Sequence, residues 1–137
     1  MKIKKFDKDI PLPKKAHLPD VGLDLFLPRD LFIRPFRTMT IPLGIGVAIP
    51  EGYAGILVPR SSIAEKGLII QTSVIDPDYT GEIHLIITNS TDESVSLEKG
   101  QRVCSLVCIN VLNPYIEEVE ELQSTTRGTA GLGSTGK

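Results

Sequence analysis

An apolar run that ends on an aspartate and turns through proline, "VIDPDYTGEI" (74–83), places Asp76 at the end of a β-like segment with Tyr79 three residues further on. A carboxylate at a strand end can act as a general base toward water, and a nearby aromatic ring offers a flat surface to a sugar or a base. An aspartate opening an ordinary β-turn would account for the same residues. "PRSSIA" (59–64) sets Arg60 before two hydroxyls, Ser61 and Ser62, where a strand-like run meets helix formers. Guanidinium and hydroxyl donors grouped in this way suit phosphate oxygens, although helix capping also uses serines. "VGLDLF" (21–26) holds Asp24 between apolar neighbours, either as a turn residue or as a polar group aimed into a site. In "EKGQRVCSLV" (98–107) a hairpin is expected with Arg102 at its mouth, where a surface charge is the simplest reading.

The ending, "RGTAGLGSTGK" (127–137), contains a stretch that matches the first seven places of a phosphate-binding P-loop. That loop works by joining a buried strand to a long helix, whose N-terminus and following Ser/Thr hold phosphate and Mg²⁺. Here "LQSTTRGTA" is no buried strand, and no such helix follows in the sequence. A Walker site is therefore not expected. Glycines still let backbone amides approach an anion, and Arg127, Ser134 and Thr135 add donors for phosphate oxygens. A mobile strap closing over a polyphosphate would keep that chemistry without the P-loop fold.

The elements that must position these residues are short and β-rich. Ten prolines and twelve glycines punctuate the chain. Between them, "GLDLFLP", "TMTIPLGIGVAIP", "GYAGILVP", "LIIQTSVI", "EIHLIITN", "SVSLEKG" and "QRVCSLVCINVL" read as strands, several with period-two alternation. Turn signals separate them at "PEG" (50–52), "PDYTG" (77–81) and "EKG" (98–100). The spacing predicts an all-β protein, a single-domain sandwich or barrel. One or two helical turns are expected at "SSIAEKG" (61–67), capped by serine. "PYIEEVEELQ" (114–123) fits a helix face or an edge strand. A β domain over residues 1–122 and a mobile arm over 123–137 are the expected division.

At 137 residues the chain is long enough for one core. Its net charge of −2 gives no global attraction to nucleic acid or anionic membranes, so neither is expected as a partner. No apolar stretch approaches membrane-spanning length, and the basic start lacks a secretory apolar run, so an intracellular, cytoplasmic location is expected. Cys104 and Cys108 lie about 13 Å apart if they share a strand, beyond the ~7 Å reach of a disulfide, and are expected to be reduced. His17 and His84 have no ligand-spaced partner, and no catalytic role is expected for either.

In order, "VGLDL", "PRSS", "SVIDPDYTGE", "GQRVCS" and "RGTAGLGSTG" resemble the five motifs of the trimeric dUTPase family, over residues 21–136. The resemblance implies a distorted jelly-roll-like β-sandwich and hydrolysis of dUTP to dUMP and pyrophosphate. It implies that Asp76 activates the water attacking the α-phosphorus and that Tyr79 packs under the deoxyribose. The short hairpin at 69–75, with Gln71, Thr72, Ser73 and Val74, would read uracil through main-chain groups. Arg60, Ser61, Ser62 and Ser105 would hold phosphates, and Asp24 would contact Mg²⁺ through water. Arg127, Gly133, Ser134, Thr135 and Gly136 would close as a lid, with Leu132 over the base. The family also implies a homotrimer with shared sites.

Three departures from the family pattern fall at ligand positions, and a fourth, Val21 where alanine is usual, is expected to be harmless. Leu132 stands where a phenylalanine is usual, Ser105 where a glutamine is usual, and Ser73 where a glycine is usual. Their clustering at ligand positions motivates an alternative, a non-catalytic regulatory protein on the same scaffold. A second alternative, a dCTP deaminase, needs a catalytic glutamate where this chain has Ile86. An isoleucine cannot shuttle protons, so deamination is not expected.

Overall fold

The structure is a computed structural model that describes residues 1–130. Its elements run β1 (Lys2–Lys5), β2 (Leu23–Phe26), β3 (Leu31–Ile33), β4 (Thr38–Pro42), β5 (Ile45–Ala48), β6 (Tyr53–Pro59), α1 (Ser61–Ala64), β7 (Leu68–Ile70), β8 (Ser73–Ile75), β9 (His84–Asn89), β10 (Val95–Leu97) and β11 (Arg102–Asn110). Every pairing among the described residues is antiparallel. A four-stranded sheet has the order β2-β11-β6-β8 and a three-stranded sheet the order β4-β9-β7, with two-stranded ribbons β1-β5 and β10-β3. The result is a distorted, jelly-roll-like all-β sandwich.

Alternating burial explains how the sheets close on one core. In β9, Leu85 and Ile87 are buried while His84 is exposed, so one face of the strand enters the core and the other meets solvent. Leu25, Leu57 and Leu106 enter the same cluster from the four-stranded sheet, and Ile63 of α1 plugs into it. In β11 the register against β2 shifts between Arg102 and Cys104, so consecutive residues Val103 and Cys104 are both buried. Both cysteines are free, as their spacing along one strand requires. No helix among the described residues is long and apolar enough to cross a membrane.

Several expectations need correction. "TMTIPLGIGVAIP" is not one strand: Gly44, at φ 73°, turns the chain between β4 and β5. "IIQTSVI" is not a paired hairpin, because β7 pairs with β9 while β8 pairs with β6, so Gln71-Thr72 cross between sheets. The 98–107 segment is likewise a turn between sheets, since β10 pairs with β3 and β11 with β2 and β6. The helix at 61–64 is a single turn whose N-cap position is Arg60, with no side-chain cap bond, so the serines do not cap it. Residues 114–123 are neither helix nor strand, and Tyr115, Ile116 and Leu122 are exposed. Strands β1 and β3 were not anticipated.

Candidate active site

Strand β8 ends at Ile75, and the chain turns at once through Asp76, where the Tyr79 N–H donates to the Asp76 carbonyl at 3.1 Å. This β-turn keeps carboxylate and ring on one rigid loop. The Tyr79 hydroxyl donates to the Glu82 carbonyl at 2.7 Å. Gly81 is required beneath the ring, since a Cβ there would lie 2.5 Å from the tyrosine oxygen. Ser73, Val74, Asp76 and Tyr79 line a hollow of about 170 Å³ with Leu57, Glu82, Ile83 and His84. Apolar side chains, one flat ring and two acidic residues, Asp76 and Glu82, suit a small planar ligand attached to a sugar. Gln71 and Thr72 are exposed on the crossing outside this lining, with the Gln71 N–H donating to Ile86 at 2.9 Å.

A second polar group forms around Asp24. β11 brings Ser105 opposite Asp24 of β2, and Arg60 follows the end of the neighbouring β6. Asp24 is buried, and its Oδ1 accepts from an Arg60 Nη1 and from the Ser105 hydroxyl at 3.1 Å. Its Oδ2 accepts from Arg102 Nη1 at 3.0 Å. Burial pushes this carboxyl's pKa up, and the hydrogen bonds from Arg60, Arg102 and Ser105 outweigh that, holding it below its ordinary value. The carboxylate therefore stays ionised and sets two guanidinium groups side by side. Ser61 and Ser62 follow Arg60 on α1 with exposed side chains.

The chain brings Ser73, Val74, Asp76 and Tyr79 together, and Asp24, Arg60 and Ser105 together, but keeps the two groups apart. Asp24 lies on β2, one edge strand of the β2-β11-β6-β8 sheet, and Asp76 directly follows β8, the opposite edge strand. Ser105, opposite Asp24, pairs with Val58, whereas Asp76 follows Ile75, which pairs with Gly55. Three strand spacings of ~4.8 Å across and about four residues of ~3.3 Å along give roughly 20 Å between the two groups. Arg127 joins neither group: its Nε donates to the Ala130 carbonyl at 3.1 Å. Leu132, Gly133, Ser134, Thr135 and Gly136 lie outside the described residues.

The sequence reading missed Arg102 as a site residue. Its side chain is partly exposed but its charge is spent on Asp24, 78 positions away in sequence. Its place in "GQRVCS", the stretch that resembles the family's fourth motif, was the available signal.

As a metal site, the donor set fits only an indirect role. No group of three or more His, Cys, Asp or Glu residues among the described residues could hold an ion. Both Asp24 oxygens are already engaged by arginines, so direct coordination would compete with two cations. A water-bridged contact to a metal carried on a polyphosphate is compatible with this arrangement.

A jelly-roll-like β protein with an acidic–aromatic hollow and a separate arginine–carboxylate cluster is the class that fold and site define. The dUTPase family profile matches residues 8–136. The chain is 42% identical over 141 residues to the deoxyuridine 5'-triphosphate nucleotidohydrolase of Corynebacterium glutamicum, covering 100% of this chain and 95% of that protein. It is 36% identical over 126 residues to the mitochondrial deoxyuridine 5'-triphosphate nucleotidohydrolase of Homo sapiens, covering 91% of this chain and 50% of that one. Among solved structures, the Staphylococcus bacteriophage 80alpha dUTPase with dUpNHpp is similar with a TM-score of 0.93 and 30% identity, over 99% of this chain and 98% of that chain. The chain belongs to the dUTPase family.

Proposed function

We propose that this protein hydrolyses dUTP to dUMP and pyrophosphate, keeping dUTP away from DNA synthesis and supplying dUMP. Asp76 is the general base: it takes a proton from the water that attacks the α-phosphorus, and pyrophosphate leaves. No covalent nucleophile is needed, because orientation of the water and neutralisation of charge supply most of the rate. Tyr79 carries the deoxyribose, and the ring leaves no room for a 2'-hydroxyl. Ser73, Val74 and the main chain of the Gln71-Thr72 crossing face uracil. Cytosine presents the reversed donor and acceptor pattern, leaving unpaired the main-chain groups that uracil would engage.

Arg60, Ser61, Ser62 and Ser105 receive phosphate oxygens. Asp24 orients the Arg60 and Arg102 guanidinium groups and would contact a substrate-borne Mg²⁺ only through water. When bound, that ion would supply further charge neutralisation. Arg127, Gly133, Ser134, Thr135 and Gly136 close over the terminal phosphates as an arm extending from about residue 123, with Leu132 covering the base by apolar contact.

The observation that carries the assembly is the separation of roughly 20 Å between the Asp76 hollow and the Asp24–Arg60 cluster, from strand geometry. A triphosphate spans less than this, which supports a site shared between copies of the chain. A homotrimer in which one copy supplies Asp76 and Tyr79 and another supplies Arg60 resolves this, with the arm reaching across. The test is pyrophosphate release from dUTP, dCTP, dTTP and UTP in Mg²⁺ by the full chain. Release from dUTP far above the other three supports the reading, and equal release from all four contradicts it.

A further inference from the structure

Resting on the reading of Tyr79 as the sugar-facing ring, we infer that Glu82 is a positioning residue for deoxyribose selection. Its carboxylate ties the Asp76–Glu82 loop to the β4–β5 turn and so fixes the ring.

The tie starts at Gly44. Its N–H donates to Glu82 Oε1 at 2.7 Å, in a half-buried setting. Gly44 is itself immobilised. Its carbonyl accepts from the Phe6 and Asp7 N–H groups at 2.7 and 3.0 Å. Its φ of 73° and a Cβ-to-Asp7 approach of 2.8 Å leave no place for a side chain. The Glu82 carboxylate thus docks on a fixed donor.

The other end of Glu82 holds the ring. Its carbonyl accepts the Tyr79 hydroxyl at 2.7 Å, and His84 Nδ1 lies 2.9 Å from the same oxygen. That carbonyl shares a peptide unit with the Ile83 N–H, which donates to Ile45 at 2.8 Å. The Ile83–Ile45 backbone hydrogen bond holds one flank of the acceptor and the carboxylate holds the other. The loop also lies flush on β5: a Cβ at Gly46 would come within 2.6 Å of the Gly81 carbonyl oxygen.

Rejection of a 2'-hydroxyl by a ring is steric, so it depends on where the ring sits to a fraction of an ångström. The residues assigned to uracil (71–74) and Arg60, Ser61, Ser62 and Ser105, assigned to phosphate, lie outside the Asp76–Glu82 loop that this link holds. Loosening the Glu82 anchor therefore erodes the choice between deoxyribose and ribose more than it erodes binding as a whole.

Calorimetric titration of the full chain with dUpNHpp and with UpNHpp, in Mg²⁺, reads that choice without hydrolysis. Glu82→Ala lowers the ratio of the two affinities about fivefold, the scale of one lost hydrogen bond. Glu82→Gln keeps an acceptor for the Gly44 N–H and keeps the ratio. Tyr79→Phe, which retains the ring but frees it from Glu82, lowers the ratio like Glu82→Ala, and the double variant is no worse than the lower single. An unchanged ratio in Glu82→Ala, additive losses in the double variant, or no deoxyribose preference in the wild type each overturns the proposal. A wild type that prefers dUpNHpp yet releases no pyrophosphate from dUTP contradicts the hydrolase reading and leaves support for this one.

Discussion

Asp24, on one edge strand of the four-stranded sheet, and Asp76, at the turn leaving the opposite edge strand, have backbones roughly 20 Å apart by strand geometry. One is neutralised by two arginines and the other faces an apolar hollow with a tyrosine. If both serve a single triphosphate, they must come from different copies of the chain. Asp76→Asn and Arg60→Ala variants, each nearly inactive alone, then regain activity when unfolded together and refolded as a mixture. With random mixing, about one site in four receives both intact residues. Refolded mixtures with no more activity than the separate variants would show that each chain carries its own site.

Asp24 sets an acid limit on stability. Its carboxyl is held below the ordinary value of 3.8 because the arginine and Ser105 hydrogen bonds outweigh burial. A depressed carboxyl contributes stability above its unfolded pKa and loses it as pH falls through the folded value. Asp24→Asn is expected to cost ~2 kcal/mol at neutral pH, the scale of hydrogen bonds to a charged group. The gap in melting temperature between wild type and variant then narrows as pH drops below about 4. A gap that stays constant down to strong acid would contradict this role.

By the resemblance to the family's fifth motif, Leu132 stands where a phenylalanine would be expected. Leu132→Phe adds a ring that can stack on uracil, and the KM for dUTP is expected to fall about two- to tenfold. Steady-state kinetics that show no change in KM or kcat would remove base covering from the role of this position.

Burial drives the Cys104 thiol pKa up to about 12, with the Asp24 charge adding to the effect. Cys108 on the same strand is only partly buried. Alkylation of the native protein near pH 8 is expected to modify Cys108 alone, with Cys104 reacting only after unfolding. Peptide mapping that finds Cys104 modified in the folded state would refute this.

Strands with dense β-branched alternation, such as β9 and β11, were legible in the sequence because their pattern carries their burial. β1 was not, since "KIKK" has one partly buried residue and gains its place only by pairing with β5. The three-residue spacing of Ile116, Val119 and Leu122 suggested an ordered element, yet the chain offers these residues no surface to pack on and all three are exposed. In the site, the Asp76–Tyr79 turn is local and was readable from "IDPDY". The Asp24–Arg102 pair was not, because it depends on the register of β11 against β2. The Glu82 carboxylate likewise acts on Gly44, 38 positions away, across a turn whose geometry no local motif encodes.

If Asp76 activates the water that attacks dUTP, its loss appears in turnover and not in binding. Pyrophosphate release in Mg²⁺, measured for wild type and Asp76→Asn with saturating dUTP, tests it most directly. Wild type releases pyrophosphate in step with dUMP, while Asp76→Asn keeps its affinity for dUpNHpp and loses ~10²–10⁴-fold in kcat. A folded Asp76→Asn variant with wild-type turnover would contradict the account.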